Sequence, residues 1–465
     1  MSSKLKGPPT MQRRSFLFSS LATLPAAAAS TPSASILGAA LSDQQGWQRL
    51  EHLCYRIGHR LTGSESLQQA VEWAAGLMRE DGQDNVRLQP VKAPHWVRGE
   101  ESCVELKPAS RELRMLGLGM SVGTPPEGIE SDVVVVRDFD ELEALGRARV
   151  EGKIVLYNVP FTTYGRTVRY RGSGASRAAK LGAVAALVRS VTPHSLSTPH
   201  TGALGYSKDA PQIPSAALTV EDSERLAGLH REGVPIRLRL RMGARMLPDT
   251  DSANVLGEIR GREKPDEIVV MGGHIDSWDV GQGAHDDGAA CVAALQALTV
   301  IRQLGLRPRR TLRVALWTNE ENGLSGARTY REALGDDVES HVAAVEMDGG
   351  CERPVGFGLG LPEGEPRTDR ALEQARQIAS ALSGIGADQI SLGGGGADIG
   401  LLMRSGVVGF GLRTSGGRYF HWHHTDADTL DKVDPINFRR AIATLGVFGY
   451  GLADLPFRLG EPDLG

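Results

Sequence analysis

The chain has 465 residues and a formal net charge of −4 at pH 7, with 41% hydrophobic and 23% charged residues. These values are ordinary for a soluble globular protein, and the length allows two or three domains or one large domain with an insertion. The near-neutral balance provides no excess of basic residues for nucleic acid or a membrane surface. We therefore expect no nucleic-acid partner and no stable membrane insertion.

The N-terminal segment predicts export. Residues 11–30, MQRRSFLFSSLATLPAAAAS, contain Arg13 and Arg14, then a short apolar stretch, then a run of alanines. This order is typical of a secretory signal peptide, and the paired arginines before Ser-Phe-Leu resemble a signal of the twin-arginine type. The apolar stretch is too short for a transmembrane helix. We predict a signal peptide over residues 1–30 and a periplasmic or secreted protein.

The following segments differ in pattern. Residues 40–85 have apolar residues at three- and four-residue spacing, which predicts two amphipathic helices, and residues 86–125 predict extended segments. Within residues 131–220, short β-branched runs alternate with the helix candidates DELEALG and GASRAAKLG. This pattern predicts a small mixed domain over residues 126–247. The four cysteines lack C-x-x-C spacing, so we expect no cysteine-ligated metal and a buried thiol at Cys291.

From residue 253 onward, apolar strands alternate regularly with helices. The strand candidates are EIVVMGGH, RTLRVALWTNEE, HVAAVEMDGG and GVVGFGLR, and helix candidates separate them. Continuous apolar strands that alternate with helices predict an α/β fold with a mixed, largely parallel sheet flanked by helices. Ligands of such sheets bind at the carboxyl ends of the strands.

Acidic and imidazole side chains follow each of these four strands. They are His274, Asp276, Asp286 and Asp287 after the first, Glu320 and Glu321 after the second, Asp348 after the third, and His421, His423, His424, Asp426 and Asp428 after the fourth. Each motif alone is weak, because H-x-D is common, DDG is commonly a turn and EENG is commonly a solvated helix start. In a parallel sheet, however, all of them meet at one edge. Their residue types predict a metal site with nitrogen and oxygen ligands, whose cations offset the buried negative charge.

As a set, these motifs resemble a known family. GGHIDSWDVGQGAHDDGAA, LWTNEENGLSGA, VEMDGG and HHTDADT resemble the motifs of the co-catalytic zinc exopeptidases of metallopeptidase family 28. IGHRLTGSESLQQAVEWA and PHWVRGEE resemble one subgroup of that family, and the mixed segment resembles a protease-associated domain. The resemblance implies a peptidase catalytic domain over residues 36–125 and 248–455 with a protease-associated domain inserted over residues 126–247.

The resemblance also implies two zinc ions per chain. The ligands would be His274, Asp286, Glu321, Asp348 and His424, with Asp286 bridging the two ions. Three carboxylates and a bridging hydroxide balance the charge of two zinc ions, which agrees with this ligand set. Glu320 matches the general base that takes a proton from the attacking water and delivers it to the leaving amine. The reversed assignment, with Glu320 as ligand and Glu321 as base, stays open.

Other residues near these motifs have two interpretations each. Asp276 either orients the imidazole of His274 or accepts a hydrogen bond from a nearby amide. The peptide bond before Asp287 is often cis in this family. His423 stands where some aminopeptidases of the family have a tyrosine, so it either donates to the oxyanion or is structural. Tyr419 is a possible substitute for that tyrosine.

The sequence indicates the substrate contacts less clearly than the metal ligands. Asp398 could meet a free ammonium group, and Arg413 or Arg418 a terminal carboxylate, but an ordinary loop or surface role suits each equally. The glycine run 393–396 permits a close backbone approach, either to a substrate or to a partner subunit.

The sequence thus predicts an exported di-zinc exopeptidase that acts on dipeptides or other small peptides. It does not distinguish an aminopeptidase, a carboxypeptidase and a dipeptidase, and a homodimer is implied by the resemblance alone. One alternative is a di-zinc amidohydrolase or deacylase, whose extra domain lies between the third carboxylate ligand and the final histidine; here the insertion precedes His274 instead. A second alternative is a non-catalytic, receptor-like binding ectodomain, which the intact set of ligand positions disfavours.

Overall fold

The computed structural model describes Met1 and residues 31–462, so the predicted signal peptide lies outside the described residues. All elements below belong to the unit Pro32–Gly465. The strands are β1 (Asp84–Val97), β2 (Glu101–Lys107), β3 (Arg111–Leu113), β4 (Met115–Gly117), β5 (Ile129–Val136), β6 (Ile154–Tyr157), β7 (Ala185–Arg189), β8 (Ser215–Leu218), β9 (Arg237–Met242), β10 (Arg245–Ile259), β11 (Lys264–His274), β12 (Arg310–Trp317), β13 (His341–Glu346), β14 (Pro354–Gly360), β15 (Gln389–Leu392) and β16 (Val408–Thr414).

The α-helices cover the sheets. They are α1 (Pro32–Ser42), α2 (Gln45–His52), α3 (Glu65–Glu80), α4 (Phe139–Val150), α5 (Tyr164–Lys180), α6 (Val220–Arg231), α7 (Ala289–Gln303), α8 (Ser325–Leu334), α9 (Thr368–Ala379), α10 (Gly400–Arg404), α11 (Tyr419–Trp422) and α12 (Pro435–Asp454). In the part of the chain that the structure describes, none of the helices has the length and apolar character needed to cross a membrane.

The first sheet has eight strands in the order β1-β10-β12-β11-β13-β16-β14-β15. The four central strands β12, β11, β13 and β16 are mutually parallel, and they are the four strands expected from the sequence. Antiparallel strands extend the sheet on both sides, because β10 pairs antiparallel with β12 and β14 antiparallel with β16. The predicted mixed, largely parallel sheet flanked by helices is confirmed.

Side chains of the central strands alternate between the two faces of this sheet, and both faces are buried. Along β11, Val269 and Met271 join the core formed with α1, α7 and α12, whereas Val270 joins the core on the opposite face. Successive residues of a strand point to opposite faces, so an uninterrupted apolar run fits a strand covered by helices on both sides. Cys291 lies in α7 as a buried free thiol, as expected.

The second sheet also has eight strands, in the order β3-β2-β9-β5-β6-β7-β8-β4. Strands β5 to β8 are parallel neighbours and come from the predicted insertion. Strands β2, β3 and β4 also belong to this sheet, although they precede residue 126, because β2 pairs with β9 and β4 pairs with β8. The compact second sheet therefore begins near Glu101.

Candidate metal centre

The carboxyl ends of the four central parallel strands carry the predicted site residues. His274 is the last residue of β11, and Asp348 follows the end of β13. Glu320 and Glu321 lie in a turn after β12, which ends at Trp317, so the expected strand does not extend to them. The remaining members are Asp286 and Asp287 in the single turn Ala284–Gly288 before α7, and His423 and His424 directly after α11.

The carboxylate of Asp286 lies between two histidines. Its Oδ1 is 3.3 Å from Nε2 of His274, and its Oδ2 is 3.2 Å from Nε2 of His424. Each histidine also faces one further carboxylate: His274 Nε2 is 3.6 Å from Oδ1 of Asp348, and His424 Nε2 is 3.1 Å from Oε2 of Glu321. The five predicted ligands therefore form two groups that share Asp286.

Hydrogen bonds on the far side of each imidazole fix its tautomer. The Nδ1 atom of His274 lies 3.0 Å from the backbone carbonyl oxygen of Asp276, and Nδ1 of His424 lies 3.2 Å from that of Thr201. Carbonyl oxygens only accept, so each Nδ1 carries the proton and donates it. Each Nε2 faces the carboxylates and is the nitrogen that would bind a metal ion there, which is the arrangement of a metal-binding histidine.

Asp276 makes hydrogen bonds through both its backbone oxygen and its side-chain carboxylate. Its backbone oxygen accepts from His274, whereas its fully buried carboxylate accepts from the backbone N–H groups of Glu320 at 3.0 Å and Glu321 at 3.2 Å. The side-chain oxygen is 3.9 Å from Nδ1 of His274, beyond hydrogen-bond distance. The backbone of Asp276 therefore contacts His274, whereas its carboxylate contacts the paired glutamates.

The turn that holds Asp286 is fixed from two sides. The carboxylate of Asp428 accepts from the backbone N–H groups of His285 at 2.7 Å and Asp286 at 3.2 Å. The carboxylate of Asp287 accepts from the backbone N–H of His274 at 3.0 Å, so it joins this turn to the end of β11. The Asp286–Asp287 peptide bond is cis, as the family resemblance implied.

His423 and Tyr419 line the same centre. The ring of His423 stacks on that of His424 with centroids 3.5 Å apart, and its Nε2 is 3.6 Å from Oδ2 of Asp286. Tyr419 contacts His423 with ring centroids 5.0 Å apart and is buried. Burial lowers the pKa of His423 well below its usual value, so this ring is neutral. His421 instead stacks on His194, and Asp426 is exposed.

Burial and crowding shift the ionisation of the acidic residues. Burial raises the pKa of Glu320 well above its usual value; His274 opposes this effect, and the neighbouring carboxylates of Asp348 and Glu321 reinforce it. Burial and the charge of Asp286 raise the pKa of Glu321 to about 7. For Asp286, burial acts in the same direction, but the two histidines outweigh it and hold the pKa well below its usual range. A cation bound here would offset the negative charge of these buried carboxylates.

The donor set fits a divalent cation. Among the described residues, Oδ2 of Asp286 and Oε1 of Glu321 are buried oxygens that no hydrogen-bond donor satisfies. Buried carboxylate oxygens without donors are costly unless a cation is bound beside them. Nitrogen and oxygen ligands of this kind suit zinc.

The other sequence candidates make none of the close contacts described above, although the charge of Asp398 interacts with those of Glu320 and His274. Asp398 is buried, not at the surface, and neither of its carboxylate oxygens has a hydrogen-bond partner among the described residues. Arg413 is exposed and donates to Ser391 and to the backbone at Gly393, and Arg418 is exposed and pairs with Glu352.

The glycine run 393–396 makes its close approach within the chain itself. A Cβ added to Gly394 would lie 2.2 Å from the backbone oxygen of Gly358, and one added to Gly396 would lie 2.0 Å from the carboxyl carbon of Glu346. At these two positions, the space that a Cβ would occupy is filled by Gly358 of β14 and Glu346 of β13. This packing within the chain accounts for glycine at both positions.

Sequence reasoning missed two residues that contact His424. Thr201 and Arg171 come from the segment between β6 and β8, and Arg171 Nη1 lies 3.3 Å from the Thr201 carbonyl oxygen that His424 also contacts. No motif or spacing relates these residues to the histidine segment, because they lie more than 200 positions away along the chain. Only the packing of the second sheet against the first brings them together.

The fold and this cluster define a peptidase of the metallo-exopeptidase class. Residues 254–448 match the sequence profile described as Peptidase family M28, and residues 123–226 match the PA domain. Carboxypeptidase Q from Bos taurus is 42% identical over 414 residues, which are 89% of this chain and 86% of that protein. The chain belongs to peptidase family M28, and the resemblance of its N-terminal segments to the carboxypeptidase Q subgroup is confirmed.

Solved structures agree with this assignment. The crystal structure of a Peptidase M28 precursor from Shewanella amazonensis SB2B has a TM-score of 0.86 and 31% identity, and the match covers 92% of this chain and 97% of that one. A zinc aminopeptidase from Bacillus subtilis has a TM-score of 0.65 at 19% identity, with 87% and 93% covered, which shows a shared fold.

Proposed function

We propose that the chain is an exported di-zinc exopeptidase that hydrolyses dipeptides or other small peptides. The observation that carries this proposal is the position of the Asp286 carboxylate, with one oxygen facing His274 and the other facing His424. A carboxylate shared in this way suits a bridging ligand of two metal ions. His274 and Asp348 would complete one ion's ligands, and His424 and Glu321 the other's.

Two bound zinc ions would supply an activated water as nucleophile and polarise the scissile carbonyl as Lewis acids. The protein's contribution is to hold the ligands and to move the proton. Glu321 faces His424, which supports Glu321 as a ligand, whereas Glu320 makes no comparable contact with either histidine. We therefore assign Glu320 as the base that takes the proton of the attacking water and delivers it to the leaving amine.

The neutral ring of His423 is a further candidate for a catalytic role. It stacks on His424 and lies beside the shared carboxylate, so its ring N–H is near the place where a scissile carbonyl would be bound. A preorganised N–H donor at that position stabilises the oxyanion of the tetrahedral intermediate. We assign this role to His423 in place of the tyrosine of related aminopeptidases.

The carboxypeptidase Q relatives favour a C-terminal or dipeptide substrate. Their name describes carboxypeptidases, and the chain spans 86% of the length of the bovine protein. We further propose the twin-arginine signal at residues 1–30, outside the described residues, and a homodimer. The protease-associated insertion is proposed to span residues 126–247; β2, which precedes it, joins the same sheet by pairing with β9.

The test combines substrate specificity with metal analysis. Purified protein is assayed on dipeptides that are free, N-blocked or C-blocked, and zinc is measured alongside. We expect hydrolysis of free dipeptides, loss with the C-blocked series and two zinc ions per chain. The Glu320→Gln variant should lose activity by about 10²- to 10⁴-fold and retain both ions.

Glu332→Gln is the matched control, because Glu332 is an exposed glutamate on α8. This variant should be as active as the parent. Absence of zinc from active protein, or full activity of Glu320→Gln, would contradict the proposed mechanism. Selective cleavage of the C-blocked series would overturn the proposed substrate direction and leave the metal centre intact.

A further inference from the structure

We infer that the inserted segment positions the metal ligand His424 through Thr201. This inference rests on the proposed function. The imidazole Nδ1 of His424 is 3.2 Å from the backbone oxygen of Thr201, and the backbone N–H of Thr201 donates to the backbone oxygen of His424 at 3.0 Å. Thr201 thus fixes both the tautomer of the ring and the peptide that carries it, which makes it a positioning residue.

His424 depends on such support because of its backbone conformation. Its φ of 62° lies in the left-handed region, which costs energy for a residue with a side chain. It also lies in a loop after the short helix α11, whereas His274 ends a central strand. The main chain around His424 therefore needs external contacts to hold the ring in one place, and the contacts with Thr201 supply them.

Thr201 is itself held rigidly. Its hydroxyl donates to the backbone oxygen of Gly117 at 2.7 Å, and its carbonyl accepts from Nη1 of Arg171 at 3.3 Å. The other arm of Arg171 donates to the hydroxyl of Tyr164 at 3.0 Å. Gly202 follows with a φ of +134°, and a Cβ there would lie 2.3 Å from Cζ of Arg171. All of these groups belong to the second sheet and the segments connected to it.

The two halves of the metal centre therefore have different supports. The ring of His274 is fixed by the backbone of Asp276, two residues further along the chain. The ring of His424 is fixed by Thr201, and Arg171 approaches its Nδ1 to 3.4 Å while donating to the same carbonyl. A disturbance of Thr201 should weaken the ion bound by His424 and Glu321 and spare the other ion.

Metal affinity measures this asymmetry without reference to activity. The variants are Gly202→Ala, which places a Cβ against Arg171, and Arg171→Met, which removes the donor to the Thr201 carbonyl. Gly205→Ala is the matched glycine control, because a Cβ at Gly205 has no atom nearer than 3.9 Å. Arg166→Met is the arginine control, because Arg166 is an exposed residue of the same helix. Zinc dissociation constants are measured by competition with a chelator, and unfolding of the metal-free proteins is measured by circular dichroism.

We expect one of the two zinc dissociation constants to rise by about 10- to 100-fold in Gly202→Ala and Arg171→Met, with the other unchanged. Both controls should match the parent, and Arg171→Lys, which keeps a donor, should recover part of the loss. Parental values for both ions, or an equal rise in both with weakened metal-free folding, would overturn the inference. A parent protein that binds fewer than two zinc ions would instead refute the proposed function.

Discussion

Replacing Asp276 by Asn tests whether one buried carboxylate holds Glu320 and Glu321 in place. The carboxylate is fully buried and accepts two backbone hydrogen bonds, from Glu320 and Glu321. Asparagine has one side-chain oxygen, so it can accept one of these bonds and turns an N–H₂ group toward the other donor. A buried backbone donor left unpaired costs about 1–3 kcal/mol. We take about 2 kcal/mol as the expected loss.

A loss of about 2 kcal/mol corresponds to about 30-fold in kcat/KM if it falls on the placement of Glu320 and Glu321 in the transition state. The assay is steady-state hydrolysis of the best dipeptide at saturating zinc, together with urea unfolding of the metal-free protein. The control is Asp266→Asn, an exposed aspartate on β11, which should behave as the parent. A kcat/KM within about threefold of the parent would refute the assigned role of this carboxylate.

Three further predictions follow from the centre. Chelation should abolish activity, and zinc should restore it, as measured by assay after dialysis; recovery without added metal would contradict the proposal. His423→Phe keeps a ring to stack on His424 and removes the N–H, so kcat should fall by about 10²-fold at unchanged zinc content; an unchanged kcat would make His423 structural. In metal-free protein, Glu321 has a pKa of about 7, above the value of 4.5 expected in the unfolded chain. Its contribution to folding stability is therefore fully present below pH 4.5 and is lost as the pH rises through about 7. Urea unfolding of this form between these pH values should show that loss, and Glu321→Gln should reduce it, because Glu346 and Asp428 also have pKa values raised to about 7; an equal slope in both proteins would exclude Glu321 as a source.

The sequence predicted the central sheet well because its strands are uninterrupted apolar runs. Val269, Val270 and Met271 are all buried, since helices cover both faces of β11. The polar residues after each strand could be assigned to one edge by the rule for parallel sheets alone. The structure brings the predicted ligands together as that rule implies, although their roles remain predictions.

Elements without a clear pattern were not predicted. Helix α12 is buried along most of its length, from Phe438 to Ala453, so its apolar residues show no single amphipathic face. The short strands β14 and β15 contain several glycines or lie at the edge of the sheet, and neither gives a distinct local pattern. Such elements are specified by the packing around them more than by their own sequence.

Long-range pairings could not be predicted from the sequence either. Strand β2 forms its ladder with β9, more than 100 residues later, which moves the start of the second sheet ahead of residue 126. Thr201 reaches His424 for the same reason. Neither relation leaves a periodicity or spacing within a local window, so only the folded chain reveals them.

His424 is the last of the five assigned ligands along the chain, and it follows Asp348 by way of β14, β15, β16 and the helices between them. On the proposed assignment, a growing polypeptide has no complete zinc pair until all of these elements have been synthesised. A fragment cut anywhere between Asp348 and His424 would leave Asp286 with a single histidine neighbour. On the same assignment, peptidase activity requires the whole chain through His424, and a chain that ends before that residue would not hydrolyse peptides.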